Sequence, residues 1–159
     1  MSKLARCAAD GELESPGLAQ RSACTAGERR DGVVVATARS LELLETADVA
    51  LDAVVGSQRD AGERYRPIEP PPKLVVATAG AEGGTWSAAE GRTGKWAAVP
   101  LPGPRGDAYG AGDSFAAGLT YGLADGREVD AALELAARCG ATCMTGRGPY
   151  GRQLTRADL

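Results

Sequence analysis

The sequence predicts an α/β fold built on a mostly parallel sheet. Three observations carry that prediction. Short runs rich in β-branched residues recur at VVVAT (33–37), VALDAVV (49–55) and LVVAT (74–78), as buried parallel strands require. Apolar residues between and after these runs fall at helical spacing. Glycine turns stand where strands would give way to helices.

Taken in order, residues 1–31 show no sustained periodicity and are expected to be poorly ordered; residues 32–159 are expected to hold the folded, ligand-binding portion. VVVAT opens that portion as a strand. ARSLELLETA (38–47) follows as a helix, with Leu41 and Leu44 on one side. VALDAVV is the second strand. SQRDAGERYRPIEPPP (57–72) is polar and proline-rich, a loop with one helical turn around Asp60–Arg64. LVVAT is the third strand and GAEGG (80–84) a tight turn after it. TWSAA (85–89) and KWAAV (95–99) flank EGRTG and read as a hairpin at the sheet's edge. PLPGPRG (100–106) is an extended connection. A helix then starts at Gly112 or Asp113 and runs to about Leu123, placing Phe115, Leu119 and Leu123 on one face. After a turn at Gly126, a second helix covers Glu128 to about Met144, with Val129, Ala132, Leu133, Ala136 and Gly140 as its packing stripe. The tail is a loop with a last strand or turn.

Composition narrows the function. The 159-residue chain carries a net charge of −3, so it has no broad basic footprint for nucleic acid. Aromatic residues are few, with Phe115 the single phenylalanine, which argues against stacking of bases. There is no histidine, which removes Ser-His and Cys-His mechanisms. The cysteines are Cys7, Cys24, Cys139 and Cys143, with no CxxC pair to suggest a zinc site. Cys139 and Cys143 sit four apart on the last helix, as small buried residues rather than a disulfide. No apolar run is long enough to span a membrane and no signal-peptide core is present. A cytoplasmic setting is expected.

DAYGAGDSF, residues 107–115, carries the chemistry. Parallel sheets bind ligands beyond the carboxyl ends of their strands. A loop entering a helix there exposes backbone N–H groups and a positive dipole end. Gly110, Ala111 and Gly112 present such groups with little side chain in the way. Asp113 follows at the helix start. Its carboxylate can cap the helix. It can also accept the proton of a bound hydroxyl while the N–H groups hold a phosphoryl group in transfer.

DAYGAGDSF resembles the C-terminal signature D-T-x-G-A-G-D-x-F of the PfkB, or ribokinase, family of sugar and nucleoside kinases. Thr78-Ala-Gly80-Ala-Glu-Gly83 resembles the family's T-x-G-x-x-G nucleotide turn, and the order of elements agrees from Val33 to Gly151. The resemblance implies a ribokinase-like three-layer αβα fold and ATP-dependent phosphorylation of a hydroxyl on a small sugar or nucleoside. Asp113 would be the base and Gly110, Ala111 and Gly112 the anion hole. Thr78, Gly80 and Gly83 would line the ATP, with Gly148 in the loop that takes the place of the family's adenine-side loop. Asp107 would hold the signature loop or a monovalent cation such as K+. The other reading of Gly80 and Gly83 is a plain hairpin-entry turn.

The chain also departs from the family. Ala108 stands where the signature has threonine, so a supporting hydroxyl is absent. The N-x-x-E motif associated with Mg2+ has its nearest match in Ser57-Gln-Arg-Asp60, with Glu63 beyond; Asp60 and Glu63 are either magnesium-side acids or a solvated loop. Most sugar-binding residues of the family lie in an N-terminal half that residues 1–31 do not resemble. The resemblance therefore implies the C-terminal half of such a kinase. One expectation is a kinase completed by a homodimer or by a partner supplying the substrate half. The alternative is a truncated nucleotide-binding remnant without catalytic competence. A dinucleotide-binding Rossmann domain is the weaker reading, since no G-x-G-x-x-G follows the first strand with an acidic residue about twenty positions on.

Overall fold

The computed structural model describes residues 32–158. Five strands form one sheet in the order β1 (Val35–Thr37), β2 (Ala53–Ser57), β3 (Leu74–Thr78), β4 (Gly84–Ala88) and β5 (Thr93–Trp96). β1, β2 and β3 run parallel, in register Val35 to Ala53 and Ala53 to Leu74. β4 and β5 continue the sheet as an antiparallel hairpin, with Val76 opposite Trp86 and Trp86 opposite Gly94. The sheet is thus mixed, with the expected hairpin at its edge, although its second strand starts at Thr93 rather than Lys95 and ends at Trp96 rather than Val99. Among the described residues three α-helices accompany the sheet: α1 (Leu41–Ala47), α2 (Ala111–Ala124) and α3 (Val129–Cys143).

Two of the expected strands are shorter than their apolar runs. β1 begins at Val35, and β2 begins at Ala53 rather than Val49. Val49 and Leu51 are buried all the same. The approach to β2 is bent because Asp52 turns its carboxylate to the Val34 N–H, which donates to it at 2.8 Å. That bond, between residues distant in sequence, gives the Val34 N–H a side-chain acceptor in place of a ladder carbonyl. The first helix likewise opens as a 3-10 turn, Ala38–Ser40, before α1 proper. In the long polar loop the single helical turn is a 3-10 turn at Ala61–Glu63, where the Gly62 N–H donates to Asp60 Oδ1. The tail ends in a 3-10 turn, Arg156–Asp158. The expectations for residues 1–31, including Cys7 and Cys24, lie outside the described residues.

Two hydrophobic clusters flank the sheet. On one face Ala53, Val55, Leu74, Val76 and Trp86 pack with Phe115 and Leu119 of α2 and Leu133 and Ala136 of α3. On the other, Val54 packs with Leu41 and Leu44 of α1, Leu51 and Ile68. This makes three layers, α2/α3, sheet and α1. Leu119 and Leu133 are fully buried, and each contributes about 1.5–3 kcal/mol relative to an exposed side chain. α2 and α3 approach closely because small residues meet between them. A Cβ on Gly122 would lie 2.9 Å from the Ala132 Cα, and one on Gly118 the same distance from the Ala136 Cα. Cys139 and Cys143 are free thiols, the second fully buried and the first half-buried.

Candidate active site

The carboxyl ends of β1, β2 and β3 point one way, because the strands are parallel. The loops leaving them therefore meet the start of α2 at one edge of the sheet. Thr78 ends β3, and its hydroxyl donates to the Gly56 carbonyl of β2 at 3.0 Å. The chain then turns tightly through Gly80–Glu82. The Ala79 N–H donates to the Gly83 carbonyl at 2.7 Å and the Gly83 N–H to that of Gly80 at 3.1 Å. Gly83 must be glycine on two counts. Its φ is +81°, and a Cβ there would overlap the Trp96 carbonyl oxygen.

α2 begins equally tightly. Gly110 is its N-cap at φ +83°, and a Cβ on it would run into Pro149. The Ala111 N–H is used by the Ala108 carbonyl at 3.2 Å, and the Ser114 N–H by that of Gly110 at 2.9 Å. The N–H groups of Gly112 and Asp113, in the same first turn, have no acceptor among the described residues. A Cβ on Gly112 would meet nothing within 4 Å, so the space above this turn is open. Free first-turn donors and the dipole together attract anions.

Between the two turns lies a cavity of about 550 Å3, within the range of small-molecule sites. Thr78, Gly80 and Gly83 line one end, and Ala111 and Gly112 line another. Its floor is Phe115, stacked on Trp96 with ring centroids 5.6 Å apart. Residues 98–101, Arg105, Ala137, Gly140, Ala141 and Met144 form the remaining walls. So the fold joins two motifs separated in sequence.

Asp113 stands beside this cavity, not in its lining. Its carboxylate is exposed and makes no hydrogen bond or ion pair with any described residue. The helix-capping alternative is not realised, because the cap is Gly110 and no side chain bonds the first-turn N–H groups. The charge that its field reaches is Arg39, at the end of β1.

Arg39 also gathers the acids of the polar loop. Its Nε donates to Glu63 Oε1 at 3.1 Å, its Nη2 to the same oxygen, and Asp60 Oδ2 lies 3.6 Å from Nη2. The Glu63 hydrogen bond holds the Arg39 guanidinium above its ordinary value, with Asp60 and Asp113 adding to it. The acids are thus turned to an arginine, and among the described residues no cluster of three metal-binding side chains forms.

Asp107 ties two loops together. The Tyr109 N–H donates to its Oδ1 at 3.0 Å and the Gly148 N–H to its Oδ2 at 3.2 Å. These donors, Tyr109 first, hold its carboxyl below the usual aspartate range. Gly148, expected on the ATP side, lies in this second loop and is not among the cavity's lining residues. The same loop reaches α2 through Gln153, whose Nε2 donates to Ser114 Oγ at 2.9 Å and to the Pro149 carbonyl.

Neither motif contains Trp96 or Arg105, which line the cavity, or Arg39, which gathers the acids beside it. Trp96 reads in sequence as a hairpin residue, Arg105 as part of a proline-rich connection and Arg39 as the start of a helix. No local pattern distinguishes them.

The sequence model for the pfkB family of carbohydrate kinases matches residues 30–155. Among solved structures the chain is similar to a Burkholderia thailandensis nucleoside kinase in complex with inosine, at 22% identity and a TM-score of 0.65, over 88% of this chain and 58% of that one. It is similar to an Arabidopsis thaliana ribokinase complexed with ribose and ATP, at 16% identity and a TM-score of 0.58, over 74% of this chain and 48% of that one. A third similarity is to an E. coli protein named as a ribokinase II, in complex with ATP and Mg2+, at 24% identity and a TM-score of 0.56, over 70% of this chain and 39% of that one. Comparison with curated proteins returned no match. The chain spans 58% or less of the length of these three structures.

Proposed function

The chain belongs to the pfkB family of carbohydrate kinases, and on that premise we propose that it binds ATP in the cavity between the β3 turn and the start of α2 and directs phosphoryl transfer to a hydroxyl of a small sugar or nucleoside. One observation carries this reading. An unpartnered carboxylate, Asp113, shares a helical turn with unpartnered N–H groups that open on the cavity. A carboxylate beside an anion site is costly unless it acts there. As a base it would take the proton from the attacking hydroxyl. The open N–H groups of Gly112 and Asp113, set in place by the Gly110–Ala111 turn whose Ala111 N–H is held by the Ala108 carbonyl, would stabilise the phosphoryl group as charge builds on it. Thr78, Gly80 and Gly83 would border the nucleotide, and Gly148 would act at second hand by supporting the Asp107 loop.

Magnesium, when bound with ATP, neutralises charge between its phosphates. Asp60 and Glu63 fit it poorly, because Arg39 already neutralises them, and no step is assigned to a metal there. Asp107 has the loop-holding use of the two that the family resemblance implies, so no monovalent cation is assigned to it. The relatives in complex with inosine and with ribose support a nucleoside or sugar as acceptor.

A second reading is favoured by the exposure of Asp113. No described residue walls an acceptor against it, so the chain would bind nucleotide without completing an acceptor pocket. Turnover separates the two. The kinase reading expects ATP consumption that depends on added ribose or nucleoside, and Asp113→Asn should lower it by roughly 10²–10⁴-fold while ATP still raises the melting temperature. A mutant as fast as wild type would remove Asp113 from the mechanism. Nucleotide binding with no acceptor-dependent turnover under any condition would support the second reading.

A further inference from the structure

The cavity contains one charged side chain, and it belongs to neither motif. Arg105 lies on the extended segment before the signature loop, and every other lining residue is uncharged. The Gly106 N–H donates to the Met144 carbonyl at 2.9 Å, which anchors this segment at the end of α3. Arg105 itself is exposed. Arg39, Arg59, Arg66, Arg92 and Arg127 all have carboxylate partners. Arg105, like Arg64, Arg147 and Arg156, has none among the described residues, but of these it alone lines the cavity, where no described acidic residue compensates it.

Arg105, a helix start with open N–H groups and a glycine turn thus line one largely apolar cavity. That combination suits a ligand with a flat apolar body and several negative charges. The helix start already draws the phosphates to the Ala111–Gly112 end. An arginine in the same cavity complements them with a fork of N–H donors. We propose that Arg105 is the cationic contact of this chain for the phosphate chain of the donor nucleotide, and so a determinant of its preference for a nucleoside triphosphate over a nucleoside. The inference rests on the nucleotide reading of the cavity.

Calorimetric titration of the full chain with ATP, ADP and adenosine tests it, with tryptophan emission, to which Trp96 at the cavity wall contributes beside Trp86, as a second readout. Arg105→Gln should weaken ATP by about tenfold or more, the size of one lost charge-assisted contact. ADP should lose less, and adenosine should stay within about twofold of wild type by the same reasoning. Arg105→Lys should retain part of the ATP affinity. The ATP affinity of the wild type should also fall more steeply with salt than that of Arg105→Gln. An equal loss for ATP and adenosine would make Arg105 a base or packing contact and overturn the inference. Unchanged ATP affinity in Arg105→Gln would overturn it alone, leaving the nucleotide reading intact. A wild type that binds neither ATP nor adenosine would overturn both.

Discussion

Asp113 and Asp107 are two aspartates six positions apart with opposite environments. Asp113 makes no hydrogen bond or ion pair among the described residues and is exposed beside free N–H groups. Asp107 is committed to the Tyr109 and Gly148 N–H groups, which depress its pKa. A depressed carboxylate contributes stability above its unfolded pKa and loses it as pH falls through the lower folded value. Asp107→Asn should therefore be less stable than wild type at neutral pH, with the difference closing in acid. Urea midpoints across that range measure it, and a difference independent of pH would mean the charge is not what matters. Gly83 offers a sharper test of the β3 turn. With φ at +81° and the Trp96 carbonyl pressed on it, Gly83→Ala should cost roughly 1–3 kcal/mol or more in strain and weaken ATP binding. Thermal melts with and without ATP check both effects.

At the scale of elements, the helix pair carries the site. α2 supplies the anion-attracting turn, and α3 holds it against the sheet through Leu133 and Ala136 while Gly140 passes beneath its first residue. A Cβ on Gly140 would stand 3.1 Å from the Ala111 carbonyl. Closeness is set by Gly118 and Gly122 facing Ala136 and Ala132. Gly122→Leu should push the helices apart and destabilise the fold by roughly 1–3 kcal/mol, as overpacking does; a chemical-denaturation midpoint equal to wild type would show the helices free to separate. The hairpin matters for a different reason. β5 brings Trp96 against Phe115, so an edge strand supplies a wall of the cavity beside its floor.

Across the whole molecule, covering is uneven. α1 shields β1 and β2 on the far face, while Thr85, Ser87, Thr93 and Lys95 alternate outward along β4 and β5 with partial or full exposure. The α2/α3 face therefore holds most of the core, and Leu133→Ala should cost about 2–5 kcal/mol, a large part of the stability of a domain this size. A fall in melting temperature small enough to be ascribed to a surface change would place the core elsewhere. The strands, the helices and both glycine turns were legible in the sequence, since β-branched runs, helical spacing and glycines act over a few residues. Even there β2 starts late, because Asp52 bonds the Val34 N–H, a partner far along the chain that no local window contains. By itself the sequence determined the α/β order of elements and the two motifs of the pfkB family. Only the tertiary structure decided that those motifs face one cavity, that Trp96 and Arg105 line it, that Arg39 takes Asp60 and Glu63, and that Asp113 is left without a partner. These are meetings of residues distant in sequence, and they depend on strand register and helix approach rather than on any local preference.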